Sequence, residues 1–180
     1  MDFLDFDDDS LYFDEPLTKE QEELLQQASE YYPEPEAERL LDRLYALKPD
    51  SLTVLVALYR FYYYQHRYEE AFAIAEQAMS VSVRFMGLTM SWERLSEQYL
   101  GQGVFVSMGL IRFYMLALKG SAYLLMRLGR IEEALPRLNK IIELDPADQF
   151  GAAFLLRVAE REQVNMKVEG QSNIESLFRR

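Results

Sequence analysis

Two stretches constrain this chain more than anything else in it: LVALYRFYYYQHRYEEAFAIAEQAM, from Leu55 to Met79, and LKGSAYLLMRLGRIEEALPRLNKII, from Leu118 to Ile142. In each, an apolar helix-forming run meets a polar turn, Gln65-His66-Arg67 in one and Gly129-Arg130 in the other. A hydrophobe-Glu-Glu-Ala start follows at Tyr68 to Ala71 and at Ile131 to Ala134. The pattern predicts two helices joined by a short turn, used more than once, and hence an all-α fold. A hairpin with two apolar sides cannot bury both alone, so stacked neighbours must complete its core.

The pattern resembles the tetratricopeptide repeat (TPR), and the landmarks and roughly 34-residue period of that family set the units. Aligning Ala134 with Ala71 gives units at 115–148 and 52–85, the first with Leu118, Ser121, Ala122, Leu125, Leu138, Ile141 and Pro146 at its landmark positions. The second carries Leu55, Leu58, Tyr59, Tyr62, Ala75 and Ala78, and a further unit at 18–51 carries Leu24, Leu25, Ala28, Ala37, Leu41, Leu44 and Pro49. The resemblance implies a right-handed superhelical solenoid of about three helix hairpins, with helix 149–163 capping its last apolar face. It sets a repeat domain at 17–165, preceded by an acidic flexible tail at 1–16 and followed by a polar tail at 166–180.

The phase breaks once, because the register restarts at Met115 rather than Met86, leaving an irregular insertion at 86–114. That segment predicts a short helix near Trp92 to Tyr99, a turn at Gly101-Gln102-Gly103 and a long helix from about Val104 to Leu128. The run VFVSMGLIRFYM is apolar almost all round, as expected of a helix buried on more than one side. Its 104–115 portion is also a candidate for pairing two copies into a homodimer.

Charge is unevenly spread. Residues 1–50 hold 16 acidic against 4 basic residues, and the remainder holds 14 against 15, within a net charge of -11. Phosphate backbones need a clustered basic surface, so nucleic acid is not the expected partner. The longest stretch without a charged residue, Gln98 to Ile111, is shorter than the ~20 apolar residues of a membrane span. The acidic start does not read as a secretory signal, and a reducing cytoplasm is the expected compartment.

Little reactive chemistry is available. The chain has no Cys and one His, which excludes thiolate nucleophiles, disulfides and multi-His metal centres. Asp5, Asp7 and Asp9 imitate the first ligands of a calcium loop, but Ser10 and Pro16 stand where that loop needs its glycine and its glutamate. His66 sits in a turn without a recognisable nucleophile motif. Glu69-Glu70 and Glu132-Glu133 open second helices, where they complement the helix dipole, and adjacent positions on one helix cannot face each other across a cleft. No enzyme activity, metal or cofactor is expected.

The TPR resemblance implies that first helices line a concave groove, at Thr53, Val56, Arg60, Tyr63 and Tyr64 in one unit and Leu116, Lys119, Tyr123, Met126 and Arg127 in another. Phe150, Ala153 and Arg157 follow on the cap. The candidate groove residues are therefore Arg60, Tyr63, Tyr64, Lys119, Tyr123, Arg127 and Arg157. Arginine pairs bidentately with carboxylates and tyrosine offers contact area at low entropic cost, so the expected ligand is an acidic-aromatic peptide of another protein. The slots of the carboxylate clamp found in some family members hold Glu22 and Gln26, so that terminal-carboxylate specificity is not carried over. The leading expectation is a non-catalytic adaptor or scaffold. The alternatives are a small acidic export chaperone, similar to those of bacterial type III secretion, and a self-associating assembly subunit.

Overall fold

Entry into the first helix is fixed by Thr18, whose hydroxyl accepts from the Gln21 amide while the Gln21 side chain accepts from the Thr18 amide. This reciprocal capping box satisfies two amides that a helix start leaves without intrahelical partners. In the computed structural model, which describes residues 16–99 and 107–178, it opens α1 (Lys19–Glu30). Six more helices follow: α2 (Pro35–Leu47), α3 (Leu52–Tyr64), α4 (Tyr68–Phe85), α5 (Met108–Arg127), α6 (Ile131–Leu144) and α7 (Ala152–Phe178). The described residues form no strand, so the fold is all-α. Ser51 and Ser107 cap α3 and α5 by accepting from the Val54 and Leu110 amides.

Three helices end in the same way. After α3, the Arg67 amide donates to the Tyr62 carbonyl and the His66 amide to Tyr63; after α5, Arg130 donates to Leu125 and Gly129 to Met126. After α4, Leu88 donates to Val83 and Gly87 to Arg84. This paired closure requires a left-handed residue just past the helix, and φ is +59° at His66, +73° at Gly129 and +70° at Gly87. The aligned turn positions His66 and Gly129 thus share one conformation, although only one is glycine.

Each helix packs on the next along the chain, so the hairpins stack in sequence order. Leu24 and Ala28 of α1 meet Ala37, Leu41 and Leu44 of α2, and Leu58 and Phe61 of α3. Tyr59 sits where the other clear repeat has Ala122, and it is buried with Ala71, Ala75 and Leu124. Two alanines on α4 provide the room that the tyrosine needs.

α5 is the centre of the larger core, and it touches α4, α6 and α7. Its first turns extend beyond the length of α3, and the insertion covers them, with Leu88 and Leu95 joining Leu110, Ile111, Phe113, Tyr114 and Met115 in one cluster. Residues 104–106 lie outside the described residues, and the five apolar side chains from Leu110 to Met115 are buried within a single chain, which leaves Met108 and Arg112 exposed. In place of the expected helix near Trp92 to Tyr99 there is a 3-10 turn, Trp92–Arg94, with helical backbone at 97–99. α5 starts at Met108, and the expected Gly101-Gln102-Gly103 turn lies outside the described residues, as do residues 1–15.

The last helix also departs from expectation. The Asp145 and Asp148 carboxylates accept from the Phe150 and Ala153 amides, holding a turn that delays the helix start to Ala152. The helix then runs to Phe178, through the segment expected to be a polar tail. Its buried side chains, among those described, are Ala152, Leu155 and Ala159, all in the first turns. Among the described residues no helix is long and apolar enough to cross a membrane.

Ion pairs tie successive hairpins at equivalent places. Arg67, just before α4, reaches Glu70 at 2.9 Å and Glu38 of α2 at 2.7 Å; Arg130, just before α6, reaches Glu133 at 2.7 Å and Glu69 of α4 at 3.3 Å. Arg137 of α6 is the most enclosed of the ion-paired cations. It holds both carboxylate oxygens of Glu76 on α4, donates to Ser121 of α5 at 2.8 Å, and lies against the rings of Phe72 and Trp92.

Candidate functional site

α3 reads LTVLVALYRFYYY and α5 reads MGLIRFYMLALKGSAYLLMR; together they carry Arg60, Arg112, Lys119 and Arg127 and no acidic residue. Acids stand instead on the other helices of the hairpins, as Glu20, Glu22, Glu23 and Glu30 on α1, Glu36, Glu38 and Asp42 on α2, Glu69, Glu70 and Glu76 on α4, and Glu132, Glu133 and Glu143 on α6. A chain of net charge -11 therefore keeps carboxylates off these two helices. Such segregation concentrates positive potential where α3 and α5 meet solvent.

Helical geometry divides the α3 aromatics between two cavities. Residues four apart share a face: Arg60 and Tyr64 line a cavity of about 400 Å³ between α1 and α3, together with Leu25, Ser29, Tyr32, Thr53 and Val56. Tyr59 and Tyr63 line a second, of about 200 Å³, with Leu116, Lys119 and Tyr123 of α5 and Phe154 and Leu155 of α7. α3 is thus the ridge between two apolar pockets, each with a cation in its wall.

Tyr63 links the aromatic side chains. Its ring stacks on Tyr59 at 6.0 Å with an interplanar angle of 8°, meets Tyr64 edge-on at 5.4 Å, and lies 6.2 Å from both Tyr68 and Tyr123. Arg127 closes the group, donating to the Tyr123 hydroxyl at 3.2 Å with its guanidinium 4.6 Å above the Tyr68 ring. That donated hydrogen bond holds the Tyr123 phenol below its ordinary value, and a hydrogen bond from Tyr63 acts the same way against the opposing effect of burial. The same contact raises the Arg127 guanidinium. On the other face, Tyr32 meets Phe61 and Tyr64 edge-on at 6.1 and 6.5 Å.

Of the seven residues chosen from the sequence, the structure brings Tyr63, Lys119 and Tyr123 into one cavity wall, with Arg127 bonded to Tyr123. Arg60 and Tyr64 fall in the neighbouring cavity. Lys119 also donates to the Phe150 carbonyl at 2.6 Å, tying α5 to the turn before α7. Arg157 is exposed one turn beyond Phe154 and belongs to neither cavity wall.

The sequence reading misses Arg112, Tyr59, Tyr68, Tyr32 and Phe154. Arg112 is exposed one turn before Leu116 on α5, and it lies ahead of the 115–148 unit, so counting groove positions within that unit passes over it. Phe154 takes the place expected for Phe150 and Ala153 because α7 starts later. His66 faces the Tyr68 hydroxyl at 2.8 Å in an exposed position. Among the described residues no three His, Asp or Glu side chains gather as a metal site, and Asp5, Asp7 and Asp9 lie outside them. Chemically, the pockets offer apolar walls of a size for aromatic groups, and Arg60 and Lys119 place cations in those walls that can pair with carboxylates.

No family profile matches the chain. It is 47% identical over 158 residues, 88% of each sequence, to a protein of Azotobacter chroococcum mcd 1 described as an uncharacterized 19.8 kDa protein in the nifW 5' region.

Proposed function

We propose, for a chain that belongs to the family of that Azotobacter chroococcum protein, a non-catalytic role as a TPR-type interaction module that holds an acidic-aromatic peptide segment of a partner protein. In this reading α1–α2, α3–α4 and α5–α6 are three repeats of a right-handed solenoid, α7 is its cap, and α1, α3, α5 and α7 form the concave layer. The observation that carries the proposal is charge segregation. The two central helices of that layer contain four cations, a tyrosine cluster and no acid, in a chain that is otherwise strongly acidic. An acidic ligand is attracted to these two helices and repelled by the carboxylates of α1, α2, α4 and α6, a combination that gives specificity and orientation.

The pockets supply the second requirement. Peptide recognition in grooves depends on a few aromatic or aliphatic side chains in well-formed pockets, with surrounding charges setting selectivity. The 5' region of nifW in which the relative is located gives a first choice of partner, namely proteins encoded beside the gene for this chain.

The test is fluorescence anisotropy with two synthetic peptides of equal length and aromatic content, one Asp-rich and one Lys-rich. The Asp-rich peptide binds the full chain, and the Lys-rich one binds at least about tenfold more weakly. Reversing Arg60→Glu and Arg127→Glu together removes Asp-rich binding while far-UV circular dichroism keeps its helical amplitude. Unchanged binding in that double variant would rule out the basic groove.

A further inference from the structure

The first fifteen residues of the chain carry chemistry complementary to the groove. Residues 1–15 read MDFLDFDDDSLYFDE: seven acids, the aromatics Phe3, Phe6, Tyr12 and Phe13, and no base. They join the described structure at Pro16, whose carbonyl accepts from Lys48 Nζ at 3.5 Å. Lys48 follows the end of α2 and shortly precedes Ser51, the cap of α3. The segment therefore departs near the N-terminal end of α3, where Thr53 forms part of the first cavity wall.

Reach is sufficient. Fifteen extended residues span up to roughly 50 Å, whereas four neighbouring helices about 10 Å apart span roughly 30 Å. The segment offers two aromatic pairs, Phe3 with Phe6 and Tyr12 with Phe13, for two pockets. α3 carries no acid in its first turn, so the positive end of its dipole favours carboxylates arriving from this side.

We infer that residues 1–15 are the groove's own ligand, with their aromatics in the cavities beside α3 and their carboxylates facing Arg60, Lys119 and Arg127, and that a partner binds by displacing them. This rests on the groove reading above and deepens it, because it makes the segment a template for the partner's recognition sequence. Affinity need not be high. A short tether gives an effective concentration on the order of mM, so a segment that binds weakly as a free peptide still fills the site. Occupancy of nine-tenths weakens a competitor by about tenfold, the fraction of open sites setting the apparent constant.

The chain has no cysteine, which permits paired spin labels in the full-length protein. Ser10→Cys is combined with Gln26→Cys on α1 or with Val158→Cys on α7, both exposed, and distances are measured by double electron-electron resonance. Both pairs give narrow distributions that broaden when Arg60→Glu and Arg127→Glu are added, while a Gln26→Cys/Val158→Cys pair stays unchanged and reports an intact fold. A broad distribution for the Ser10 pairs, indifferent to charge reversal, overturns the inference.

A labelled peptide of residues 2–15 is the second probe. It binds the full chain carrying Asp5→Asn, Asp7→Asn, Asp8→Asn and Asp9→Asn about tenfold more tightly than the unaltered chain. Equal binding to both, still abolished by reversing Arg60 and Arg127, overturns self-occupancy and leaves the groove reading standing. Binding to neither, with broad label distances, overturns both.

Discussion

Gly129 holds φ at +73°, and no heavy atom lies within 4 Å of where a Cβ would stand. Gly129→Ala therefore incurs a conformational cost without a clash, about 1 to 2 kcal/mol for a left-handed non-glycine residue. Its urea midpoint should fall by the corresponding amount with an unchanged m-value, and Gly87→Ala should behave alike, at φ +70° with the same open surroundings. A second residue-scale consequence concerns Tyr123, whose phenol is held low by the hydrogen bond from Arg127, while burial raises Tyr62 and Tyr114. In an alkaline titration followed by phenolate absorbance, Tyr123 should ionise ahead of these two. Tyr123→Phe should remove that early component, and Arg127→Met should return it to higher pH. The sign for stability follows: a phenol depressed on folding favours the folded state increasingly as pH rises from its folded value to its unfolded one.

At the scale of elements, Arg67 and Arg130 each join the start of one hairpin's second helix to the hairpin before. Hydrogen bonds from these arginines hold Glu70 and Glu133 below the usual carboxylate range. A carboxylate depressed on folding stabilises the protein above its unfolded value near 4.5, and this contribution is lost as pH falls through the folded value. Asp42 works oppositely, raised first by burial and then by Glu38. Glu70→Gln combined with Glu133→Gln removes the contribution of the two depressed carboxylates and should flatten the fall of urea midpoints measured from pH 7 down to 3.

The Arg137 clasp predicts a larger effect. Arg137→Met leaves Glu76 and Ser121 without their shared donor and should cost about 2 to 3 kcal/mol in urea denaturation, below the full cost of breaking a buried pair because Glu76 stays partly in water. The start of α3 was legible in the sequence through the repeat register, and the starts of α4 and α6 because turn and Glu-Glu-Ala signals are local. Arg112 was not, since it stands ahead of the 115–148 unit, on the first turns of α5 that pack with Leu88 and Leu95 of the insertion rather than within a repeat. Phe154 was not, since the carboxylates of Asp145 and Asp148 delay α7. The contact of Arg127 with Tyr68 joins two hairpins, and no spacing within either repeat encodes it.

For the molecule as a whole, burial sets a gradient of stability along the stack. α5 packs against α4, α6 and α7 and has 12 of its 20 residues buried, whereas α1 buries Leu24 and Ala28. The α7 side chains Val164, Met166 and Val168 are 47 to 58% exposed, so that stretch of helix gains little from tertiary packing. A helical turn without such packing is marginal in water, because propagation alone scarcely offsets the entropy of ordering. Native-state hydrogen exchange reads this directly, since opening free energies range from near zero at unpacked ends to the global value in the core. Amides from Met115 to Leu125 should exchange slowest, and only through global unfolding, so their protection should fall in step with the urea stability of Arg137→Met. Amides from Val164 to Val168 should exchange within the first seconds and be indifferent to that substitution, and those of α1 should lie between. Slow exchange at Val164 to Val168 would mean that this face of α7 is covered in solution, and dilution would then show whether the cover is a second copy, because protection that depends on concentration cannot come from within one chain.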